Sequence, residues 1–185
     1  PWWHVIKDSS SFTELSQHSS KTRNQIRRGL KNYACRRSCL KEVLGLYQVY
    51  AESFASYSTH ETLFTYKQYV DSLESLPSST EYWIIVDSNT DLIVGFSENY
   101  IEGATCFYNS IWILPSAMKQ YAAYALFFQM NKYYLVDKQF NYISDGARSI
   151  SHSTNIHNFL IQKFGFRKAY ANLHVAYHPL LMLFV

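Results

Sequence analysis

The stretch NIHNFLIQKFGF, residues 155–166, is the part of the sequence that decides the fold. Large hydrophobic side chains recur in it with the spacing of one helix face, at Ile156, Phe159, Leu160 and Phe164. Gly165 comes next, and glycine often ends a helix because it adopts the left-handed conformation without strain. The pattern therefore predicts a short amphipathic helix that ends at Gly165.

The segments around this helix are typical of a sheet. NYIS (141–144) comes before it and RKAYANLHVAY (167–177) after it, and both are rich in residues that favour strands. Three further β-rich runs lie upstream: EYWIIVD, LIVGFSENYI and TCFYNSIWIL. The segment 116–136 between these two groups is apolar on nearly all sides, which indicates a helix buried against the sheet.

The first part of the chain adds one strand and three helices. PWWHVIKD is predicted to be a strand, and helices are expected over 12–32, 40–57 and 61–75. YACRRSC, between the first two helices, is either a short strand or a turn. A His-Pro turn and a last strand, LLMLFV, would follow the strand after Phe166. The predicted fold class is α/β (α+β), with a mixed, mostly antiparallel central sheet and helices on both faces.

Composition indicates a folded domain without a membrane span. Hydrophobic residues make up 48% of the chain and charged residues only 17%, which is typical of a folded protein rather than a disordered one. With 185 residues, the chain is long enough for one domain with a substantial core. An odd number of cysteines, three, favours a reducing compartment, and we expect a cytoplasmic protein without a metal site. Because the chain starts at Pro1 and ends on an apolar run, we expect residues 1–185 to be one domain of a longer protein.

The order of elements and the stretch 155–166 together resemble the GCN5-related N-acetyltransferase (GNAT) superfamily. The late motif of that family contains an Asn, a small residue, a Leu-Tyr pair and a final Gly-Phe. The residues at those positions here are Asn155, Asn158, Leu160, Ile161, Gly165 and Phe166. The resemblance implies that this helix, with Asn155, lies beside the pantetheine arm of coenzyme A. It also implies that Ile161 replaces a tyrosine that often protonates the leaving thiolate.

A second resemblance concerns the turn that binds pyrophosphate in the GNAT family, a glutamine or arginine followed by small residues. Gln120, Ala123 and Ala125 satisfy a relaxed form of it, whereas the usual distance from Pro115 would select Met118, Tyr121 and Ala123. The register stays open between the two. Small residues at a helix start let backbone N–H groups approach phosphate oxygens. The strand before the turn would polarise the acyl carbonyl through a backbone N–H near Ile113 or Leu114.

The net charge of +3 conceals a basic patch. Residues 21–41 hold eight basic residues and no acidic one, and Arg23, Arg27 and Lys31 share one helix face, with Arg28 beside them. Such a face is either solvated or binds phosphates, because the guanidinium group matches phosphate oxygens. The segment resembles the Arg-rich helix of Fem-type aminoacyltransferases. That resemblance implies an aminoacyl-tRNA or another phosphate-bearing ligand, and a bacterial cell-envelope or surface-polysaccharide context.

Two carboxylates are candidate general bases for an acceptor amine. Glu98 lies in the strand GFSENY, and its alternating pattern leaves open whether it faces solvent; Asp145 follows the strand NYIS, at the strand end where such sheets often bind ligands. Tyr108 is expected to contact the substrate from the neighbouring strand. His152 is either a further base or a neighbour of the helix N-terminus, and the second interpretation is favoured; His174 and His178 are interpreted as ordinary strand and turn residues.

The sequence therefore predicts an N-acyltransferase that uses an acyl-coenzyme A thioester or an aminoacyl-tRNA as the donor and an amine as the acceptor. It contains no GxSxG, HExxH or P-loop motif, which argues against hydrolase and kinase chemistry. Two alternatives stay open. One is a nucleic-acid-binding module based on the basic helix and the aromatic residues. The other is a GNAT-fold binding domain that has lost catalysis, as the missing tyrosine and glycines would suggest.

Overall fold

The computed structural model describes residues 2–57, 61–147 and 155–172, with only the backbone of Trp2. Within these ranges, seven strands form one sheet in the order β2-β3-β4-β5-β6-β1-β7. Their bounds are Trp2–Asp8 (β1), Tyr33–Ser38 (β2), Thr80–Asp87 (β3), Ile93–Glu102 (β4), Thr105–Ile113 (β5), Tyr142–Ala147 (β6) and Arg167–Ala171 (β7). Neighbouring strands are antiparallel except β5 and β6, which are parallel. The predicted mixed, mostly antiparallel sheet is confirmed.

Seven α-helices connect these strands in the described part of the chain. They are Ser20–Asn32 (α1), Leu40–Leu44 (α2), Tyr47–Phe54 (α3), Tyr66–Glu74 (α4), Pro115–Lys119 (α5), Ala122–Lys132 (α6) and Ile156–Phe164 (α7). Short 3-10 turns follow β1, and one π-helical turn, Tyr133–Asp137, extends α6. The strand and turn predicted after residue 172 lie outside the described residues.

The helices predicted over 12–32, 40–57, 61–75 and 116–136 all differ from the observed ones in their bounds. The one predicted over 61–75 begins only at Tyr66, after the cap residue Thr65. The first begins at Ser20 rather than near residue 12, because Ser19 caps it through a hydrogen bond from the Thr22 N–H to its hydroxyl. The second is divided into α2 and α3 at Gly45 and Leu46. The helix predicted over 116–136 is divided into α5 and α6 at Gln120 and Tyr121, where Tyr121 adopts a left-handed conformation with φ 70°.

Hydrophobic cores lie on both faces of the sheet. One core joins α1, α6 and α7 to the sheet and includes Ile26, Leu126 and Leu160, each 0% exposed. The other joins α2, α3 and α4 to the opposite face, where Val43 and Leu73 pack against β-strand residues such as Phe96. The predicted placement of helices on both faces is therefore confirmed.

Strands β5 and β6 part shortly after they meet. Their pairing covers three residue pairs, from Thr105 with Tyr142 to Phe107 with Ser144. Beyond that point β5 continues to Ile113, and no further pair with β6 forms in the described structure. A β-bulge adds to the distortion of β5, since Asn109 is an extra residue opposite Glu98 and Asn99 of β4. The sheet therefore opens between β5 and β6.

The end of α7 is held by a buried lysine. Gly165 has φ 68°, as the sequence predicts for the residue that ends this helix. The ammonium group of Lys7 donates hydrogen bonds to the carbonyl oxygens of Phe164 (2.7 Å) and Ser11 (2.6 Å). A cation at this end also complements the partial negative charge of the helix C-terminus. Lys7 thus fixes α7 against β1.

Candidate active site

The opening between β5 and β6 forms a cleft of about 380 Å³, named here the splay cleft. Strand β5 contributes the residues from Tyr108 to Ile113, and β6 contributes Asp145 and Ala147. Helices supply the remaining walls, including Ala123 and Phe127 of α6 and Ile156 and His157 of α7. The cleft thus runs from the point where the strands part to the start of α6.

The edge of β5 that faces this cleft carries backbone N–H groups that do not bond β4, among them that of Ile113. The N–H of Leu114 donates to the carbonyl oxygen of Val94 in β4 at 2.9 Å, so it is not free to polarise a substrate carbonyl. Bonded and non-bonded residues alternate in an antiparallel pair, so the N–H of Ile113 points away from β4, toward the side that β6 leaves open. Of the two residues predicted to polarise the carbonyl, Ile113 and Leu114, only Ile113 has an N–H group that is turned toward the cleft.

Asp145 and His157 lie together in the splay cleft. Nε2 of His157 lies 3.3 Å from Oδ2 of Asp145, and their side chains are only 10% and 8% exposed. Nε2 also lies 3.4 Å from the backbone carbonyl oxygen of Asp145, so it is shared between two acceptors of the same residue. Burial raises the pKa of Asp145, and the interaction with this carboxylate raises the pKa of His157. The two groups therefore compete for one proton.

A second cleft of about 610 Å³ adjoins the first, and we name it the aromatic cleft. It lies between the sheet and the helices α3 and α4. Its aromatic walls are Tyr50, Phe54, Phe64, Tyr69 and Trp112. Both clefts are lined by Phe54, Glu61, Ser110 and Trp112. The two clefts therefore meet at β5.

Glu98 lies in the aromatic cleft and is 7% exposed, which answers the question that its alternating strand left open. Nδ2 of Asn109, the bulge residue, donates to Oε2 of Glu98 at 3.4 Å, and Trp112 provides a second side-chain hydrogen bond. Burial nevertheless raises the pKa of Glu98 to about 7. A carboxyl group with such a pKa can accept and release a proton near neutral pH.

The start of α6 adjoins the basic helix α1. Ala122 and Ala123 are the first two residues of α6, so their N–H groups have no acceptor within that helix. The guanidinium group of Arg28 lies over the ring of Tyr121, 5.6 Å from its centroid. A Cβ atom at Gly29 would overlap the carbonyl oxygen of Tyr121, so the glycine permits this close approach. The structure thus brings together the basic face and the turn that the sequence predicts to bind phosphate.

The observed helix start agrees with the register of Tyr121 and Ala123. Ala125 is 0% exposed and packs against Gly29, and its N–H donates to the carbonyl oxygen of Tyr121. Ala125 therefore packs between α6 and α1 in this structure, and its role as a phosphate contact stays a prediction. Gln120 lies just before Tyr121 and is exposed, and its contact with a phosphate stays a prediction.

The other predicted contacts are dispersed. Nη1 of Arg23 donates to the carbonyl oxygen of Ser16 at 3.1 Å, which anchors the segment before α1, whereas Arg27 is exposed. Tyr108 lines the splay cleft, but its hydroxyl donates to Oδ1 of Asn131 in the core at 2.8 Å. Asn155 precedes α7 and lies next to the lining residue Ile156.

Sequence reasoning missed two side chains of this site. His157 was treated only as part of its helix, and Trp112 only as part of a β-rich run. Neither residue stands in a recognisable motif, and their roles depend on contacts across the sheet opening. Ile161 lines neither cleft and packs against the core instead.

Solved structures with a similar fold were found for most of the chain. FemX aligns over 90% of it with a TM-score of 0.68 and 8% identity. The chain has a GNAT-like fold. A GCN5-related N-acetyltransferase from Sphaerobacter thermophilus aligns over 91% of it, with a TM-score of 0.56 and 14% identity. The third is the C-terminal domain of a putative lysylphosphatidylglycerol synthetase from Agrobacterium fabrum. It aligns over 86% of the chain, with a TM-score of 0.58 and 12% identity.

These similarities establish the GNAT-like fold alone, because every identity is low. The chain spans 59% of the FemX chain, 48% of the acetyltransferase and 50% of the synthetase domain. No protein-family model and no curated protein sequence matches the chain. No helix of the described residues is long and apolar enough to cross a membrane. Those residues also contain no group of three or more His, Cys, Asp or Glu side chains that could hold a metal ion.

Proposed function

We propose that this GNAT-like chain is an N-acyltransferase, which moves an acyl or aminoacyl group from a thioester or an aminoacyl-tRNA onto an amine. The observation that supports it best is the meeting of the two clefts at Ser110 and Trp112 of β5. Two substrates bound in adjoining clefts can react directly, without a covalent intermediate on the protein. We also propose that residues 1–185 act as one domain of a longer cytoplasmic protein, with a role in the bacterial cell envelope.

The donor occupies the splay cleft in this proposal. The N–H group of Ala123, which lines the cleft, and the guanidinium group of Arg28 fit the phosphates of coenzyme A or of another phosphate-bearing donor. The donor supplies an activated carbonyl carbon, and the N–H of Ile113 stabilises the negative charge that develops on its oxygen. Gln120 and Asn155 flank this path as further contacts.

Glu98 acts as the general base toward the acceptor amine. The ammonium form of an amine cannot attack a carbonyl, so a proton must leave before the C–N bond forms. The pKa of Glu98, about 7, allows its carboxylate to take this proton at neutral pH. The proton passes to Oε1 or Oε2, directly or through one water molecule.

Asp145 and His157 serve the leaving group rather than the amine. Their contact raises the pKa of His157, which favours the imidazolium form. The imidazolium can give a proton to the departing sulfur or oxygen, which leaves the ring neutral. The ring then takes a proton from solvent, and the Asp145 carboxylate stabilises the imidazolium that forms again. This role takes the place of the tyrosine that is missing at Ile161, one helical turn further along α7.

Thermal unfolding with a panel of acyl-coenzyme A esters and aminoacyl-tRNAs tests the donor. A ligand present at about 100 times its Kd stabilises the folded chain by about 2.7 kcal/mol. With a donor identified, Glu98→Gln should lower kcat by about 10²–10⁴-fold, while the exposed Glu102→Gln on the same strand should not change it. A panel without any stabilising donor would contradict the proposal and favour a binding domain that has lost catalysis.

A further inference from the structure

Among the residues that the structure describes, the aromatic cleft is lined by two glutamates and by no basic side chain. Among its thirteen lining residues are Glu61 and Glu98, and none is a lysine, an arginine or a histidine. The basic face of α1 contributes nothing to it. In the described structure, the negative charge of this cleft is therefore separated from the positive charge at the start of α6.

Glu98 is a buried carboxylate without a cationic partner in the described structure. None of the ion pairs formed there includes it, and its two hydrogen bonds come from the neutral side chains of Asn109 and Trp112. Burying an unpaired charge is costly, and proteins usually compensate it with a counter-charge. The cleft is open to solvent-borne ligands, so a bound cation can supply that counter-charge.

The aromatic walls are suited to the same kind of ligand. Tyr50 stacks on Tyr69 with ring centroids 5.2 Å apart, and it meets the edge of Trp112 at 4.8 Å. The faces of aromatic rings attract cations and also accommodate alkyl chains. The cation–π contacts recorded in the described chain involve other rings, so no protein cation competes for these three.

We propose that the aromatic cleft binds a primary alkylammonium ion that carries no anionic group next to its amine. The ammonium group lies against Glu98, and its carbon chain packs among Tyr50, Tyr69 and Trp112. A phosphate or carboxylate beside the amine would be repelled by Glu98, whose hydrogen-bond donors are neutral. The inference rests on the proposed function in one respect, that the bound cation is the acceptor amine of the transfer. Phosphorylated amino sugars and amino acids would then not be acceptors, because each carries an anionic group close to its amine.

Binding to the chain without any donor tests the inference. The probes are n-butylammonium, butyrate, and glycine as an amine with an adjacent carboxylate, measured by ligand-observed NMR at fixed ionic strength. We expect millimolar binding of n-butylammonium and at least about tenfold weaker binding of the other two. Equal binding of butyrate, or no binding of n-butylammonium, would overturn the proposal.

Substitutions then assign the binding to Glu98. Glu98→Gln keeps the shape and the hydrogen-bonding oxygen, removes the charge, and should weaken n-butylammonium binding at least about tenfold. Glu102→Gln, on the same strand and exposed, is the matched control and should leave the affinity unchanged. Circular dichroism and the melting temperature establish that both variants fold. An unchanged affinity in a folded Glu98→Gln variant would refute the assignment.

The pH dependence provides an independent readout. Because the pKa of Glu98 is about 7, its ionised fraction rises about tenfold between pH 6 and pH 8, and the affinity should rise with it. Four tyrosines interact electrostatically with Glu98, and each has a raised pKa, so they stay neutral over this range: Tyr50, Tyr69, Tyr82 and Tyr100. Glu61 also lines the cleft, so the profile is repeated with Glu61→Gln. A profile that stays the same in Glu98→Gln would contradict the proposal.

The failure of this inference is distinguishable from that of the proposed function. If the chain binds n-butylammonium through Glu98 but transfers no acyl group, the cation site is supported and the proposed transferase activity is contradicted. If the chain acylates an amine while Glu98→Gln leaves amine binding unchanged, the transferase activity is supported and the cation site is contradicted.

Discussion

At the scale of single residues, three nearly buried ionisable side chains have different tasks because their partners differ. Lys7 is 1% exposed and is surrounded by carbonyl oxygens, Glu98 has only neutral donors, and Asp145 is paired with a histidine. The sequence identified Glu98 and Asp145 as candidate bases, since acidic residues in or after strands are rare enough to notice. It could not identify Lys7 or His157, because burial there depends on distant elements.

Lys7 is predicted to couple stability to pH. Burial lowers its pKa from 10.5 to about 8, so the unfolded state binds more protons between these two values. The contribution of Lys7 to the free energy of unfolding is therefore constant below about pH 8 and rises by about 1–2 kcal/mol toward pH 9.5. Lys7→Met should remove this rise, and it should destabilise the chain by about 1–3 kcal/mol at pH 7 because two carbonyl groups lose their donor.

Urea unfolding of both proteins at pH 7 and pH 9.5 measures these differences. Lys21→Met, an exposed residue in the first turn of α1, is the control and should run parallel to the parent chain at both pH values. A parallel course of Lys7→Met as well would contradict the predicted coupling.

Asp145→Asn is predicted to lower the pKa of His157. The carboxylate is the main cause of the raised value, and burial of the ring then dominates once the charge is removed. An NMR titration of the histidine ring protons measures this directly. His18, whose pKa is lowered by burial and which packs against Phe128 and Phe164, serves as the internal reference. A His157 titration that does not move would rule out the pairing.

At the scale of elements, local patterns predicted the existence of helices and strands better than their breaks. The helix Ile156–Phe164 and the strand Thr105–Ile113 follow their hydrophobic periodicity and were predicted nearly as observed. The break between α5 and α6 was not, because residues 119–122 contain neither glycine nor proline. Tyr121 adopts the left-handed conformation at the point where its carbonyl oxygen contacts Gly29 of α1. The break therefore coincides with a tertiary contact, which the local sequence does not indicate.

Gly29→Ala is predicted to destabilise the packing of α1 on α6. Alanine favours a helix over glycine by about 1 kcal/mol, but here its Cβ atom would overlap the backbone of Tyr121. We expect a net loss of about 1–3 kcal/mol in the free energy of unfolding. Gly45→Ala is the matched control, since its nearest contact would be an ordinary 3.4 Å, and it should change stability by less than about 1 kcal/mol. A stabilised Gly29→Ala variant would show that α1 can shift without cost.

At the scale of the whole molecule, the sheet brings together groups that are far apart in the sequence. The basic helix α1 contacts the turn before α6 through Arg28 and Tyr121. Residues of α6, α7 and the end of β6 line the splay cleft together. The sequence could assign these features to a GNAT-like order of elements. It could not predict that β1 lies between β6 and β7, because neither hydrophobic periodicity nor turn residues specify pairing between the two ends of a chain.

Arg28→Glu is predicted to weaken the binding of a phosphate-bearing donor. The substitution replaces a favourable charge at the start of α6 by a repulsive one, and we expect at least about a tenfold higher Kd for coenzyme A, or about 1.4 kcal/mol. Lys21→Glu makes the same charge change at the other end of α1 and should have a much smaller effect. Calorimetric titration at two salt concentrations measures both. Equal affinities in the two variants would mean that the basic face is only solvated.

The position of β1 also governs the order in which the chain can fold. Strand β1 is made first, yet its two neighbours lie about 140 to 170 residues later, and one of them must close a loop of almost the whole described chain. Contacts between such distant segments form late, because the entropy of loop closure is lost before any pairing compensates it. On the ribosome, β1 therefore stays unpaired until β6 and β7 have been synthesised. The half of the sheet from β2 to β5 can assemble earlier, with its helices α2 to α4, and β1 then completes the other half.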